Sequence, residues 1–394
     1  MRKPSPVLLV SLLAACPDEG GSTTESATQP SMPTTVTMTG MTGIDTTGTG
    51  MTATGTTGTT DAPPTTSTTS TEPGTSTGAV STTGTSTGST STGDQTTSGS
   101  STGEPVQCSD QPAKPAGAEV QIAPAFADAY KTYDLGPVPG IPPEARLGGC
   151  VIAYDDPDSL LIAGYSEASN GQLYRIGVER GNCDHIVGFS GEAVSVAQTP
   201  YIDANLLYVK SGLLFYSEWP VNHLSQLLPG AAAPARTTTL GDLGIANSIG
   251  GIGFVPPGYA DAGGLRLLSW PGGEWNHLGR APDGELFTVF GALNTATLPN
   301  GPGGFAYIPK GSPAFAVDHV IVSEWSSNTV GTYEIDDQGD PMVATRKDFF
   351  TAFPRPWGAY FEPQTGDFMF LTWGDGVDRV YIVQGFEPPP PLPQ

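Results

Sequence analysis

The amino-acid sequence predicts an all-β fold: a β-propeller standing behind a disordered N-terminal stalk. Five segments of the C-terminal part share one pattern and recur at spacings of 51, 52, 54 and 49 residues. Each period holds four short apolar segments and almost no helical periodicity. Four strands in roughly 50 residues, repeated so that sheet edges stay protected, are the mark of a propeller blade. Residues 20–103, by contrast, are almost wholly Thr, Ser and Gly, with too few apolar side chains to offset the entropy of ordering. The chain therefore divides into a leader (1–16), a stalk (17–105) and a propeller (106–394).

The leader carries Arg2 and Lys3, an apolar run from Val7 to Leu13, and then Leu13-Ala-Ala-Cys16. A basic head, a short apolar core and small residues before a cleavage point make a secretory signal, because about 20 apolar residues are needed to stay across a bilayer. This stretch resembles the bacterial lipobox, which implies cleavage before Cys16 and acylation of that residue by palmitate-type chains. Each buried acyl CH₂ adds about 0.8 kcal/mol of anchoring. Pro17 stands where an aspartate would retain the protein at the inner membrane, so the expected location is the outer membrane or cell surface. As a flexible coil the stalk would span roughly 50 Å. Two Gly-x-Ser-x-Gly matches within it, at Ser76 and Ser86, lack the strand–turn–helix that exposes a nucleophilic serine.

The chain has 16 basic and 39 acidic side chains; 2 and 8 fall in residues 1–105, leaving 14 and 31, a net −17, for the propeller. Such a surface excludes nucleic acid and anionic membrane as its partners, since both need a basic footprint. It suits a soluble surface domain, expected as a monomer, or divalent cations such as Ca²⁺ as ligands.

The repeat is marked in three ways. Apolar segments end at Ser166, Ser217, Ser269, Ser323 and Thr372. Gly148-Gly149, Gly250-Gly251, Gly303-Gly304 and Trp357-Gly358 open strands on the same beat, with Pro200 in the second place. Glycine there fits an innermost strand, where backbones crowd near the axis. Asn170, Asn222, Asn276, Asn328 and Asp378 follow as turn residues that tolerate positive φ. The fifth unit ends after its third strand, Arg379-Val-Tyr-Ile-Val383, and residues 129–135 are expected to complete it. Five four-stranded blades result, or six if residues 105–147 hold further strands.

Cys150 opens an inner strand while Cys183 lies at the far end of the same unit, beyond the Cα separation of about 7 Å that a disulfide tolerates. A Cys108–Cys183 bond is therefore expected. Glu167, Glu218 and Glu324 each follow the shared serine, and Asp375 comes just past it in the fifth unit. If these carboxylates converge on one face, they suit Ca²⁺ or acid/base chemistry; if they do not, they form a solvated rim. Trp270 interrupts the acidic pattern in the third unit. Trp219, Trp270, Trp325 and Trp373 occupy the same rim, either as packing between blades or as a platform for sugar rings. His223 and His277 lie in related turns, which repetition explains better than catalysis.

The stretches Tyr133-Asp-Leu-Gly-Pro-Val-Pro-Gly140, Gly171-Gln-Leu-Tyr-Arg-Ile-Gly-Val178, Asp184-His-Ile-Val-Gly-Phe189 and Trp219-Pro-Val-Asn-His-Leu224 resemble a group of uncharacterised secreted bacterial β-propeller proteins. Gly303-Gly-Phe-Ala-Tyr-Ile-Pro309 and Gly366-Asp-Phe-Met-Phe370 do so too. The resemblance covers residues 128–387 and extends to propeller proteins with PEP-CTERM sorting tails, from which this chain departs by ending Pro388-Pro-Pro-Pro-Leu-Pro393. It implies fold and export and nominates no catalytic residue. The expected function is a non-enzymatic surface module for a carbohydrate, peptide or protein ligand. The alternatives are a metal-assisted hydrolase or lyase at the channel mouth, and a structural spacer without ligand.

Overall fold

The computed structural model describes residues 110–391, apart from 113 and 375. Cys16, Cys108 and Asp375 lie outside the described residues. Two strands come first, β1 (Gln121–Ile122) and β2 (Lys131–Gly136). Blade 1 is β3 (Leu147–Ile152), β4 (Ser159–Gly164), β5 (Gln172–Arg180) and β6 (Ile186–Gln198). Blade 2 is β7 (Ile202–Tyr208), β8 (Leu214–Glu218), β9 (His223–Leu227) and β10 (Arg236–Thr239). Blade 3 is β11 (Ile249–Phe254), β12 (Leu265–Ser269), β13 (Glu274–Asp283) and β14 (Leu286–Thr297). Blade 4 is β15 (Pro302–Tyr307), β16 (His319–Glu324), β17 (Thr329–Glu334) and β18 (Lys347–Ala352), with β1 added outside β18. Blade 5 is β19 (Pro356–Phe361), β20 (Phe368–Thr372) and β21 (Val380–Gln384), closed by β2 on β21 with Tyr133 opposite Ile382. The chain is a five-bladed β-propeller whose N-terminal strand closes the ring.

The fourth strand of blade 4 starts at Lys347, after a short 3₁₀ turn at Val343–Thr345. One local expectation is corrected. Asn276 sits within β13 instead of in a turn, where it is buried and donates to the Glu274 carbonyl. Asn222 and Asn328 do adopt left-handed turns, at φ 57° and 56°.

The middle strands read as unbroken apolar runs because they bury both faces. Side chains alternate across a strand, so Leu214 and Tyr216 of β8 face blade 1 while Phe215 faces blade 3. Likewise Phe368 and Phe370 of β20 pack on blade 4, and Met369 and Leu371 on blade 1. Five apolar layers, one between each pair of neighbours, hold the ring. Phe126 and Tyr130, from the segment between β1 and β2, extend the layer between blades 4 and 5.

Glycine at the axis lets the inner strands approach. A Cβ on Gly148 would come to 2.6 Å from the Asp203 carbonyl, and one on Gly303 to 2.7 Å from the Trp357 ring. Blade 2 breaks the glycine pattern with Asp203-Ala204-Asn205. Asn205 spends its side chain across the axis: Nδ2 donates to the Ala359 carbonyl at 2.8 Å, and Oδ1 accepts from the Phe305 and Ile252 amides at 3.0 and 3.3 Å. One buried amide thus links blade 2 to blades 3, 4 and 5.

Candidate functional site

The ladder fixes which rim residues are equivalent. Ile202 lies opposite Glu218, Ile249 opposite Ser269, Pro302 opposite Glu324 and Pro356 opposite Thr372. The next residue in each case is Trp219, Trp270, Trp325 or Trp373, whose amide donates to the carbonyl just before the inner strand at 2.9–3.2 Å. The four tryptophans therefore hold one structural position. Trp270 is no interruption; Ser269 stands where Glu218 and Glu324 stand, and the shared serine of the sequence slips by one residue between units. Blade 1 places Ser166 at this position after an extra residue, Tyr165, at φ 50°. Glu167 consequently lies beyond the position of Glu218 and Glu324 and is not their equivalent.

The indoles form a continuous edge-to-face array. Centroids are 5.9 Å apart for Trp219–Trp270, 5.8 Å for Trp270–Trp325 and 5.9 Å for Trp325–Trp373. Trp357, from the inner strand β19, joins at 6.4 Å from Trp325 and 6.1 Å from Trp373. Trp357 is buried; the other four are partly exposed. Edge-to-face arrangement suits the ring quadrupoles. The Trp325 N–H donates to the Trp373 carbonyl and that of Trp357 to Asp203 Oδ1. The buried N–H groups of Trp219, Trp270 and Trp373 have no acceptor among the described residues. Unpaired buried donors are rare and call for an explanation.

Where blade 1 lacks a tryptophan, a carboxyl pair takes its place. Glu167 is held at φ 65°, its amide on the Ile202 carbonyl, beside Asp203. Asp203 is fully buried; Oδ1 accepts from Trp357 and Oδ2 has no partner among the described residues. Burial pushes the Glu167 carboxyl up to about 7. Burial first, and the neighbouring Glu167 charge second, hold Asp203 well above the usual carboxylate range. Burial and like charge together favour the protonated form of such a pair over ionisation of both carboxyls.

The remaining rim acids are committed elsewhere. Glu218, buried, takes the Ser225 hydroxyl and His223 Nδ1 at 3.1 Å. Glu324, fully buried, accepts from Arg346, from the Tyr333 hydroxyl at 2.6 Å, from Thr329 at 2.7 Å and from Asn300 at 3.1 Å. Its burial alone would raise the carboxyl, but those donors hold it below its usual range. Among the described residues no group of three or more His, Cys, Asp or Glu is placed to hold a metal. Glu167, Glu218 and Glu324 are thus not brought together. Cys183 is disulfide-bonded and Cys150 is free and buried.

Asp203 and Asn205 were missed by sequence reasoning. The legible signal was the one place where an axial glycine pair is replaced by polar residues.

No protein-family model matches the chain, and no curated protein sequence does. Among solved structures, it is similar to a gluconolactonase from Xanthomonas campestris (14% identity, 70% of this chain and 98% of that one, TM-score 0.38). It is also similar to a PQQ-bound aldose sugar dehydrogenase from Streptomyces coelicolor (13%, 70% and 94%, 0.35) and a virginiamycin B lyase from Staphylococcus aureus (13%, 67% and 79%, 0.33). These likenesses are of fold; what those proteins act on is a property of those proteins.

Proposed function

We propose that the propeller is a binding module that takes a carbohydrate on its axial face and is displayed from the cell envelope by a lipid on Cys16 through the stalk. The observation that carries this is the tryptophan array: four partly exposed indoles gathered on one rim around the buried Trp357. Indole faces stack on the C–H faces of sugar rings, while carboxyl groups meet hydroxyls, the mix of apolar wall and few polar groups that ligand sites use. Leu13-Ala-Ala-Cys16 supports the anchor.

Trp325 touches Trp270, Trp357 and Trp373 and is the centre of the array. Trp325→Ala is expected to weaken glycan binding by the full chain on the order of 30-fold, the loss typical of a central aromatic anchor. Trp325→Phe should keep part of it. Calorimetric titration of a glycan selected on an array measures both; unchanged affinity in Trp325→Ala would remove the array from recognition.

A second function, acid/base catalysis as a hydrolase or lyase, is favoured by the Glu167–Asp203 pair, which holds a proton near neutral pH. In its metal-assisted form Ca²⁺ replaces that proton. Added Ca²⁺ should then raise the melting temperature of the full chain, by about 2.7 kcal/mol of stability at a hundredfold excess over Kd, and Asp203→Asn should abolish the shift. No shift with Ca²⁺ or EDTA leaves the pair as a proton holder.

A further inference from the structure

Seven arginines, from Arg146 to Arg379, each lie within ion-pair distance of a carboxylate. Arg355 pairs with no carboxylate among the described residues, in a chain of net charge −23. Its position is nonetheless fixed at several points. The backbone is left-handed at φ 47°, the amide donates to Asn328 Oδ1 at 3.2 Å, and the carbonyl receives the Trp373 amide at 3.0 Å. The guanidinium lies 4.2 Å over the Trp325 ring. Gly374 makes room for the stem, since a Cβ there would come to 2.7 Å from Arg355 Cγ. Arg146 lies similarly over Trp373, at 5.7 Å, though it also stands 3.7 Å from Asp378.

Beside Arg355 opens a groove of about 380 Å³. Its other charged walls are Lys114, Glu119, Asp134, Asp378 and Arg379. Asp134 is neutralised by Arg379 at 2.6 Å and by Lys114. Asp378 accepts the Leu147 and Gly374 amides at 3.0 Å, and its burial pushes it up to about 6. Glu119 takes the Tyr381 hydroxyl at 3.3 Å. Among the described residues, Arg355 is left as the cation of the groove whose charge no carboxylate answers.

We propose that Arg355 reads a carboxylate on the bound sugar, so that the ligand class is an acidic, uronate-containing saccharide. This rests on the carbohydrate function proposed above. The guanidinium is planar, presents paired donors to a carboxylate, and is already immobilised on the indole, so little freedom is lost on binding. Glu167 and Asp203 are both raised by burial, which reduces their repulsion of an anionic ligand.

Oligogalacturonate and its neutral methyl ester, titrated into the full chain, test this. The acidic oligomer is expected to bind about tenfold tighter, the worth of one charge-assisted pair, with the advantage shrinking at high salt. Arg355→Gln should bring the ratio close to one, and Arg355→Lys should restore it only partly. Equal binding of both oligomers, or a ratio unmoved by Arg355→Gln, overturns this proposal alone. Binding of neither overturns the carbohydrate function and this proposal with it.

Discussion

Asn205→Ala is expected to destabilise the folded ring by about 3–6 kcal/mol, measured as a lowered midpoint of urea unfolding with unchanged slope. The substitution strands the Ile252 and Phe305 amides and the Ala359 carbonyl, three groups on three different blades. A buried polar group without a partner costs about 1–3 kcal/mol, and the three losses arise together. The cavity left at the axis adds to this, because the glycine-lined strands around it already touch and have little room to collapse. Asn205→Asp separates the contributions. It keeps an acceptor for the two amides, loses the donor to Ala359, and brings a carboxylate into a buried position, so it should be better tolerated at low pH than at pH 8. A loss below about 1 kcal/mol for Asn205→Ala would mean that the axis re-forms its hydrogen bonds without the side chain.

Much of the fold was legible because its strongest determinants are periodic. Spacing gave five units, and the apolar runs of the middle strands followed from burial on both faces, as Phe215 and Phe370 show. The closing strand was legible because β21 lacked an outer neighbour in its own unit. The site was less legible, for a physical reason. Sequence periodicity counts residues, whereas the rim is registered by backbone hydrogen bonds, and a single extra residue such as Tyr165 shifts everything after it. Glu167, Glu218 and Glu324 shared a place in the count, but only Glu218 and Glu324 share one in the ladder. The tryptophans, scattered over one or two residues in the count, share one place in the ladder. Asp203 and Asn205 carry function-like chemistry because they depart from the repeat, and a search for repetition passes over them.

Stability should fall as pH rises from 5 to 8, and Glu167→Gln should remove much of that slope. Glu167 goes from an ordinary 4.5 to about 7 on folding, chiefly through burial. Between those values the folded chain holds a proton that the unfolded chain has released, so stability present at low pH is lost as pH rises through 7. A shift of that size corresponds to at most about 3 kcal/mol, less to the extent that solvent reaches the partly exposed side chain. Asp203, raised too, acts with the same sign. His185 adds to it, since its hydrogen bond to Asp367 raises the imidazole above 6.5 and that stabilisation also fades as pH rises. Glu324 and Asp340 act oppositely. Their carboxyls are held below the usual range, so they lose stability only on acidification below about pH 4 and leave the window from 5 to 8 untouched. Glu167→Gln is near-isosteric and cannot ionise, so it should match the parent near pH 5 and exceed it at pH 8 by up to about 2–3 kcal/mol. Chemical unfolding of the two chains at pH 5, 6.5 and 8 measures this. Parallel pH profiles would show that Glu167 ionises freely, and the reduced repulsion of an acidic ligand would go with it.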